Sequence, residues 1–171
     1  MYEFLDQALK SENIKVHYSG YRAALLDAIK GAKESIRITT YVTAFSFKKP
    51  GNPVNDIITE LVKKNKRGLN VRFILDGPKK GAANFRPSML FTRYLGHMGF
   101  KFAVQYGKPT LHMKMVLIDE SIVFIGSHNL TRASIRNPLD CSVEICKAEL
   151  VRDMVKRYDQ LFGVVSHGES H

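Results

Sequence analysis

The chain is poor in acidic residues, nearly free of cysteine, and has no long apolar run. Each shortage excludes something. Cys141 and Cys146 are the two cysteines. They stand five apart on one predicted strand, so their side chains point to opposite faces and a bridge between them is disfavoured. Free thiols suit a reducing, cytoplasmic setting. No apolar stretch approaches the roughly 18 residues that a membrane-spanning helix requires, so no stable membrane insertion is expected. The N-terminus, MYEFLDQALKSEN, carries Glu3 and Asp6 and lacks the apolar core of a signal peptide. No internal repeat, linker or low-complexity tract is evident. Asp and Glu total 16 against 26 Lys and Arg, a formal charge of +10. That imbalance favours a polyanionic partner, nucleic acid first and an acidic membrane surface second.

What is present is the material for one domain. The chain has 171 residues, enough for a single core. Residues 2–10 read as a short amphipathic helix, Ile14 to Tyr18 as a strand, and Tyr21 to Ala32 as a helix. Ser35 to Thr43 is a β-branched strand and Val54 to Lys66 a helix. The cations at the end of that helix, Lys63, Lys64, Lys66 and Arg67, complement its dipole. Asn70 to Leu75 is a strand, Ser88 to Gly96 a helix, and Phe100 to Gln105 a short strand. Asp140 to Ile145 reads as a strand after a loop at 132–138, and Ala148 to Phe162 as a closing helix. The expected organisation is one domain over residues 1–165, with a flexible tail at 166–171. Strands alternating with helices indicate an α/β fold.

The stretch from Leu111 to Thr131 holds the chemistry. Met115 to Ile118 and Ile122 to Ile125 are apolar and β-prone, with Asp119-Glu120-Ser121 as a turn between them. Antiparallel pairing about Glu120 sets residue 112 opposite 128 and 114 opposite 126, so the hairpin makes the sheet mixed. His112, Lys114, Ser127 and Asn129 then gather at its open end. A polar cluster at the end of buried strands is costly without partners, which points to a ligand cleft. A neutral imidazole at position 112 can attack phosphorus. The Lys114 ammonium and the Asn129 amide can neutralise charge growing on the non-bridging oxygens, and Ser127 can orient the phosphate. This recipe cleaves a phosphodiester in two displacements and requires no metal or other cofactor.

The run HxK, four residues, Asp, six residues, GSxN matches the HKD motif of the phospholipase D superfamily without a gap, and one copy in a short chain resembles its single-motif nuclease branch. The resemblance implies a mixed central sheet flanked by helices on both faces. It also implies a catalytic set of His112, Lys114, Asp119, Ser127 and Asn129. Asp119 belongs to that pattern, but it sits at the turn, away from the chemical end, and reads as structural or as a remote hydrogen-bond acceptor. Glu144 lies on the acidic strand that follows the motif in the family, and the resemblance gives it the role of orienting an imidazole. His128 occupies the variable position and is a weaker candidate. A zinc site from His112, His128, Asp140 and Glu144 matches no defensible ligand spacing.

One histidine cannot attack and protonate the leaving group in the same step. A two-fold homodimer would bring a second His112 to one composite site. Lys48, Lys49, Lys79, Lys80, Arg86, Lys108, Arg132 and Arg136 lie in predicted loops that together suit a phosphate backbone, with Lys79, Lys80, Arg86, Arg132 and Arg136 the substrate-binding candidates. Phe45, Phe47, Phe85 and Tyr106 would stack on bases if exposed, although core packing is the ordinary role of most such rings. The function expected is a metal-independent phosphodiesterase acting on DNA or RNA, a non-specific endonuclease. The alternatives are a phospholipase or cardiolipin-type hydrolase using the same chemistry, and a non-catalytic nucleic-acid-binding module.

Overall fold

A computed structural model describes residues 13–46, 51–77, 81 and 85–167. Its strands are β1 (Ile14–His17), β2 (Ser35–Thr40), β3 (Asn70–Asp76), β4 (Lys101–Gln105), β5 (Met115–Ile118), β6 (Ile122–Gly126) and β7 (Ser142–Ile145). Its helices are α1 (Tyr21–Gly31), α2 (Pro53–Lys66), α3 (Phe85–His97), α4 (Arg132–Ile135) and α5 (Ala148–His167). The seven strands form one sheet in the order β1-β7-β6-β5-β2-β3-β4. β2, β3 and β4 are parallel, and α2 and α3 supply the crossovers that parallel neighbours require. β5 runs antiparallel to β2, and β6, β7 and β1 continue antiparallel. The mixed α/β architecture read from the alternating pattern is the one observed.

Two apolar layers cover the sheet. Ile36, Ile38, Phe73, Val116 and Phe124 pack against α1, α2 and α3. Ile74, Ala103, Met115, Leu117 and Val123 pack against α5. Every residue of β2 and of β5 is buried, which is why these strands read as continuous rather than alternating runs. Arg37 is the charged exception in β2. Its Nε donates to Asp159 Oδ1 at 3.0 Å and its Nη1 to Ser35 Oγ at 2.8 Å, while Arg72 reaches the same Asp159 at 2.9 Å. Two guanidiniums on one carboxylate pin α5 to the sheet. Lys64 departs from its expected role at the end of its own helix. It is buried, and its Nζ donates to the carbonyls of Lys30 and Ala32 at 2.6 and 2.7 Å, closing the end of α1 instead.

The β5–β6 hairpin has the anticipated register, with Met115 opposite Ile125 and the Gly126 N–H donating to the Lys114 carbonyl at 3.3 Å. Asp119 and Glu120 have φ of 49° and 55°, the left-handed geometry that tight hairpins favour and that Asp tolerates. The Asp119 carboxylate accepts backbone N–H groups of Lys33, Glu34 and Ser35 at 2.6, 2.8 and 2.8 Å. The hairpin is thereby tied to the start of β2.

Some boundaries differ from expectation. β2 stops at Thr40, and Thr43 instead makes an isolated bridge to Leu130. The segment 132–138, expected as a loop, opens with the short α4, because Thr131 Oγ1 accepts the Ser134 N–H at 3.1 Å and caps it. α3 begins at Phe85, and α5 continues to His167, taking in two residues expected in the tail. The expected N-terminal helix at 2–10 lies outside the described residues. Among the described residues no helix is long and apolar enough to cross a membrane.

Burial works to raise the Asp119 pKa, but the N–H groups of Ser35, Lys33 and Glu34 and the Lys64 ammonium outweigh it and hold the carboxyl below the usual aspartate range. Its folded pKa therefore lies below its unfolded one. The stability it contributes is complete above the unfolded value near 4 and fades as pH falls through the folded value. Asp119→Ala is expected to lose about 1–3 kcal/mol at neutral pH. Denaturant titration should show the gap from wild type shrinking below about pH 4; a gap that does not change with pH would refute the clamp.

Candidate active site

The sheet end at which β2 finishes and β5 begins carries an open pocket of about 390 Å³, lined by Tyr41, His112, Lys114, Gly126, Ser127 and Asn129. Three pieces of chain build it. The first is the approach to β5. Asp76, buried at the end of β3, accepts the Leu111 N–H at 2.9 Å, which anchors the backbone immediately before His112. The His112 ring is exposed and lies 4.6 Å from the Tyr41 ring, centroid to centroid. Lys114 Nζ donates to the His112 carbonyl at 2.7 Å and stands 5.1 Å from the centre of the Tyr41 ring. The residue following β2 thus walls both groups.

The second piece is the turn after β6. A Cβ on Gly126 would come within 2.3 Å of the Cys141 carbonyl oxygen and 2.5 Å of Ser142 Cα. Only glycine permits β7 to come so near. The Ser127 N–H then donates to the Cys141 carbonyl at 2.8 Å, and the Cys141 N–H donates to Ser127 Oγ at 3.0 Å.

The third piece is α4 and the residues around it. Ser134 Oγ accepts the Asn129 N–H at 2.9 Å and donates to Asp140 at 2.6 Å; Ser127 Oγ donates to the other oxygen of Asp140 at 2.8 Å. One carboxylate therefore holds both Ser127 and the backbone of Asn129. Asn129 Oδ1 is buried with no hydrogen-bond partner among the described residues.

The charges around the pocket are coupled. The Ser134 hydroxyl, aided by the Ser127 hydroxyl and against the effect of burial, holds the Asp140 carboxyl below its ordinary range. Burial lowers the Lys114 pKa, while the Asp140 charge opposes the shift. The arrangement offers an exposed imidazole, an ammonium and an amide around an open space, a set of groups that phosphoryl transfer can use.

Four of the six expected catalytic side chains meet here: His112, Lys114, Ser127 and Asn129. Asp119 does not, since it lies at the far end of β5 and binds backbone. Glu144 is a correction. Its carboxylate is 2.7 Å from His17 Nε2 and 3.7 Å from Lys15 Nζ, not on His112. The pairing explains this: Gly126 stands opposite Ser142, so Glu144 falls two residues back along β7 and a carboxylate near the pocket must come from beyond the strand end. Asp140 is that residue. A spacing argument that pairs β7 to β6 through Gly126 would have found it, but the sequence does not reveal which strand is β7's neighbour.

His128 is 2% exposed, stacks on Tyr21 at 4.2 Å, and its Nδ1 lies 2.9 Å from Ser142 Oγ. Burial lowers its pKa, with Asp140 opposing and His17 assisting, so it forms a neutral floor beneath the loop. With His128 on Ser142 and Glu144 on His17, the four side chains of the weighed zinc set have separate partners.

Of the expected groove cations, the described Arg86, Arg132 and Arg136 do not line the pocket. Arg136 donates to the Gly51 carbonyl at 2.9 Å and lines a separate groove with Arg22 and Asp56. Arg86 lies on α3 beside Leu90 and Arg93. Arg132 is exposed on α4 and is absent from the pocket lining. Lys48, Lys49, Lys79 and Lys80 lie outside the described residues.

A family model described as cardiolipin synthase, PLD-like domain, matches residues 25–162. The curated protein phospholipase D Y of Dictyostelium discoideum is 26% identical over 131 residues, covering 73% of this chain and 29% of that protein. The chain thus spans under a third of the length of that relative. Among solved structures, the phospholipase D family member Nuc from Salmonella typhimurium aligns with a TM-score of 0.69 and 27% identity, covering 86% of this chain and 91% of that one. NucT from Helicobacter pylori aligns with a TM-score of 0.69 and 20% identity, covering 89% and 96%. At that lower identity the likeness concerns the fold.

Gly126→Ala tests the close approach on which the pocket depends. The added methyl collides with backbone, which cannot yield as a side-chain tip can. The expected cost is about 1–3 kcal/mol, with a lower melting temperature and larger amide shifts at 126–129 and 140–142 than elsewhere. A variant as stable as wild type would contradict this packing.

Proposed function

This chain belongs to the phospholipase D superfamily, and on that premise we propose that it is a metal-independent phosphodiesterase cleaving nucleic-acid phosphodiesters, with little sequence preference, through a phosphohistidine. The observation that carries the reading is an exposed imidazole, His112, sharing one open pocket with Lys114, Ser127 and Asn129. A ring nitrogen of His112 attacks phosphorus, and the bond to the leaving oxygen breaks as the P–N bond forms. The Lys114 ammonium and the Asn129 amide face the non-bridging oxygens, where negative charge grows. Ser127 gives its hydroxyl proton to Asp140 and its N–H to the Cys141 carbonyl, and so fixes the loop that carries Asn129 to the pocket. A second His112, from a two-fold related copy, protonates the leaving oxygen. It then takes a proton from the water that attacks phosphorus and breaks the P–N bond. Two exposed apolar residues flank the site, Met113 at 38% and Leu139 at 88%, and they suit a face that a second copy covers.

The charge of +10 supports a nucleic-acid substrate, as does similarity to Nuc over most of both chains. The same chemistry on a phospholipid headgroup is the second reading, favoured by the relative named as a phospholipase D and by the description of the matching family.

The test is a cleavage assay on DNA, RNA and anionic lipid vesicles with chelator present. Nucleic-acid cleavage is expected to survive EDTA and to fall by about a thousandfold or more in His112→Ala. Turnover of the vesicles alone would transfer the assignment to lipid. Sedimentation should reveal a dimer, with specific activity falling on dilution through the dimer dissociation range. A monomer fully active at high dilution would remove the composite site.

A further inference from the structure

Tyr106 follows β4 at the same end of the sheet as the pocket. It is 58% exposed, yet its ring has a fixed seat. A Cβ on Gly77 would lie 2.7 Å from Tyr106 Cδ1 and 3.1 Å from Cε1. The ring therefore rests directly on the Gly77 backbone, in a space no other residue would leave free. The Gly77 N–H donates to the Gln105 carbonyl at 2.7 Å, which locks the two segments together. An aromatic ring held against the protein on one side and bare to solvent on the other is preorganised for a flat partner.

Its position gives the partner a chemical class. Asp76 pairs with Gln105 in the sheet and accepts the Leu111 N–H. An unbroken path thus runs from the ring through Gly77, Asp76 and Leu111 to His112. The segment leading from the ring to the pocket carries Lys108, exposed two residues beyond Tyr106, and Lys114 in the pocket itself, with no Asp or Glu between them. Cations between an exposed ring and the pocket suit a phosphate backbone carrying bases. A paired base within a duplex has both faces covered by its neighbours, so the ring is open only to an unpaired or splayed base.

We propose that Tyr106 is a stacking platform for an unpaired nucleobase near the scissile phosphate, and that single-stranded nucleic acid is the substrate this site selects. The inference rests on the nuclease reading for its biological meaning, but its test separates the two. Fluorescence polarisation compares oligothymidylate with an abasic strand of equal length, which carries the same backbone charge and no base. Tyr106→Ala is expected to weaken oligothymidylate binding about 5- to 100-fold, the loss of one stacked base, and to leave the abasic strand unaffected. Tyr106→Phe should bind like wild type, since the ring and not the hydroxyl stacks. On cleavable substrates the same loss appears in KM, with kcat near wild type.

Equal loss on both strands, or no loss on oligothymidylate, overturns the platform. So does a Tyr106→Phe defect as large as that of Ala. If neither wild type nor His112→Ala cleaves any strand, the nuclease reading fails, and the polarisation comparison still decides for or against Tyr106.

Discussion

Three backbone N–H groups converge on the Asp119 carboxylate, and the candidate site depends on what that clamp fixes. It ties the hairpin turn to the start of β2, so β5 lies against β2 in one register. Because side chains alternate along a strand, a slip of a single residue would turn every β5 side chain to the other face. His112 and Lys114 would then leave the Tyr41 wall, although neither comes near Asp119. A carboxylate that takes no part in the pocket thus decides where the pocket's groups stand. Lys64 reinforces the arrangement from beneath, since its ammonium closes the end of α1 and adds attraction to the same carboxylate.

The open end of the hairpin is held by a different kind of interaction. There a bare glycine lets two strands approach, and a single carboxylate gathers two serine hydroxyls. Ser127 is bound to the backbone of Cys141 and Lys114 to the carbonyl of His112, while the His112 ring is left open to solvent. Asn129 keeps a buried oxygen unmatched.

The legibility of all this in the sequence was uneven. Local regularities carried well. The apolar runs, the turn at 119–121 and the spacing of the motif placed β5, β6 and four pocket residues, because each follows from side-chain period and turn chemistry alone. Pairings between distant segments did not. Glu144 looked like the orienting acid because it lies on the strand after the motif, but its environment is set by β1, whose His17 and Lys15 are more than a hundred residues away. Asp140 has its role through α4, a four-residue helix too short to give a periodic signal. The loop cations were individually visible as charges, but charge alone does not say on which face a residue lies. Arg136 and Arg86 proved to line separate grooves.

The floor beneath the pocket gives the molecule an acid threshold of its own. His128 is packed neutral against Tyr21, so protonating it would place a charge in a desolvated slot. Its folded pKa lies below the ordinary histidine value, so the loop's stability is intact above that value and erodes as the medium turns acidic. The Asp119 carboxyl is likewise held below its ordinary range, so acid acts on the loop carrying Ser127 and Asn129 and on the hairpin turn through two separate groups, a buried imidazole and a clamped carboxylate.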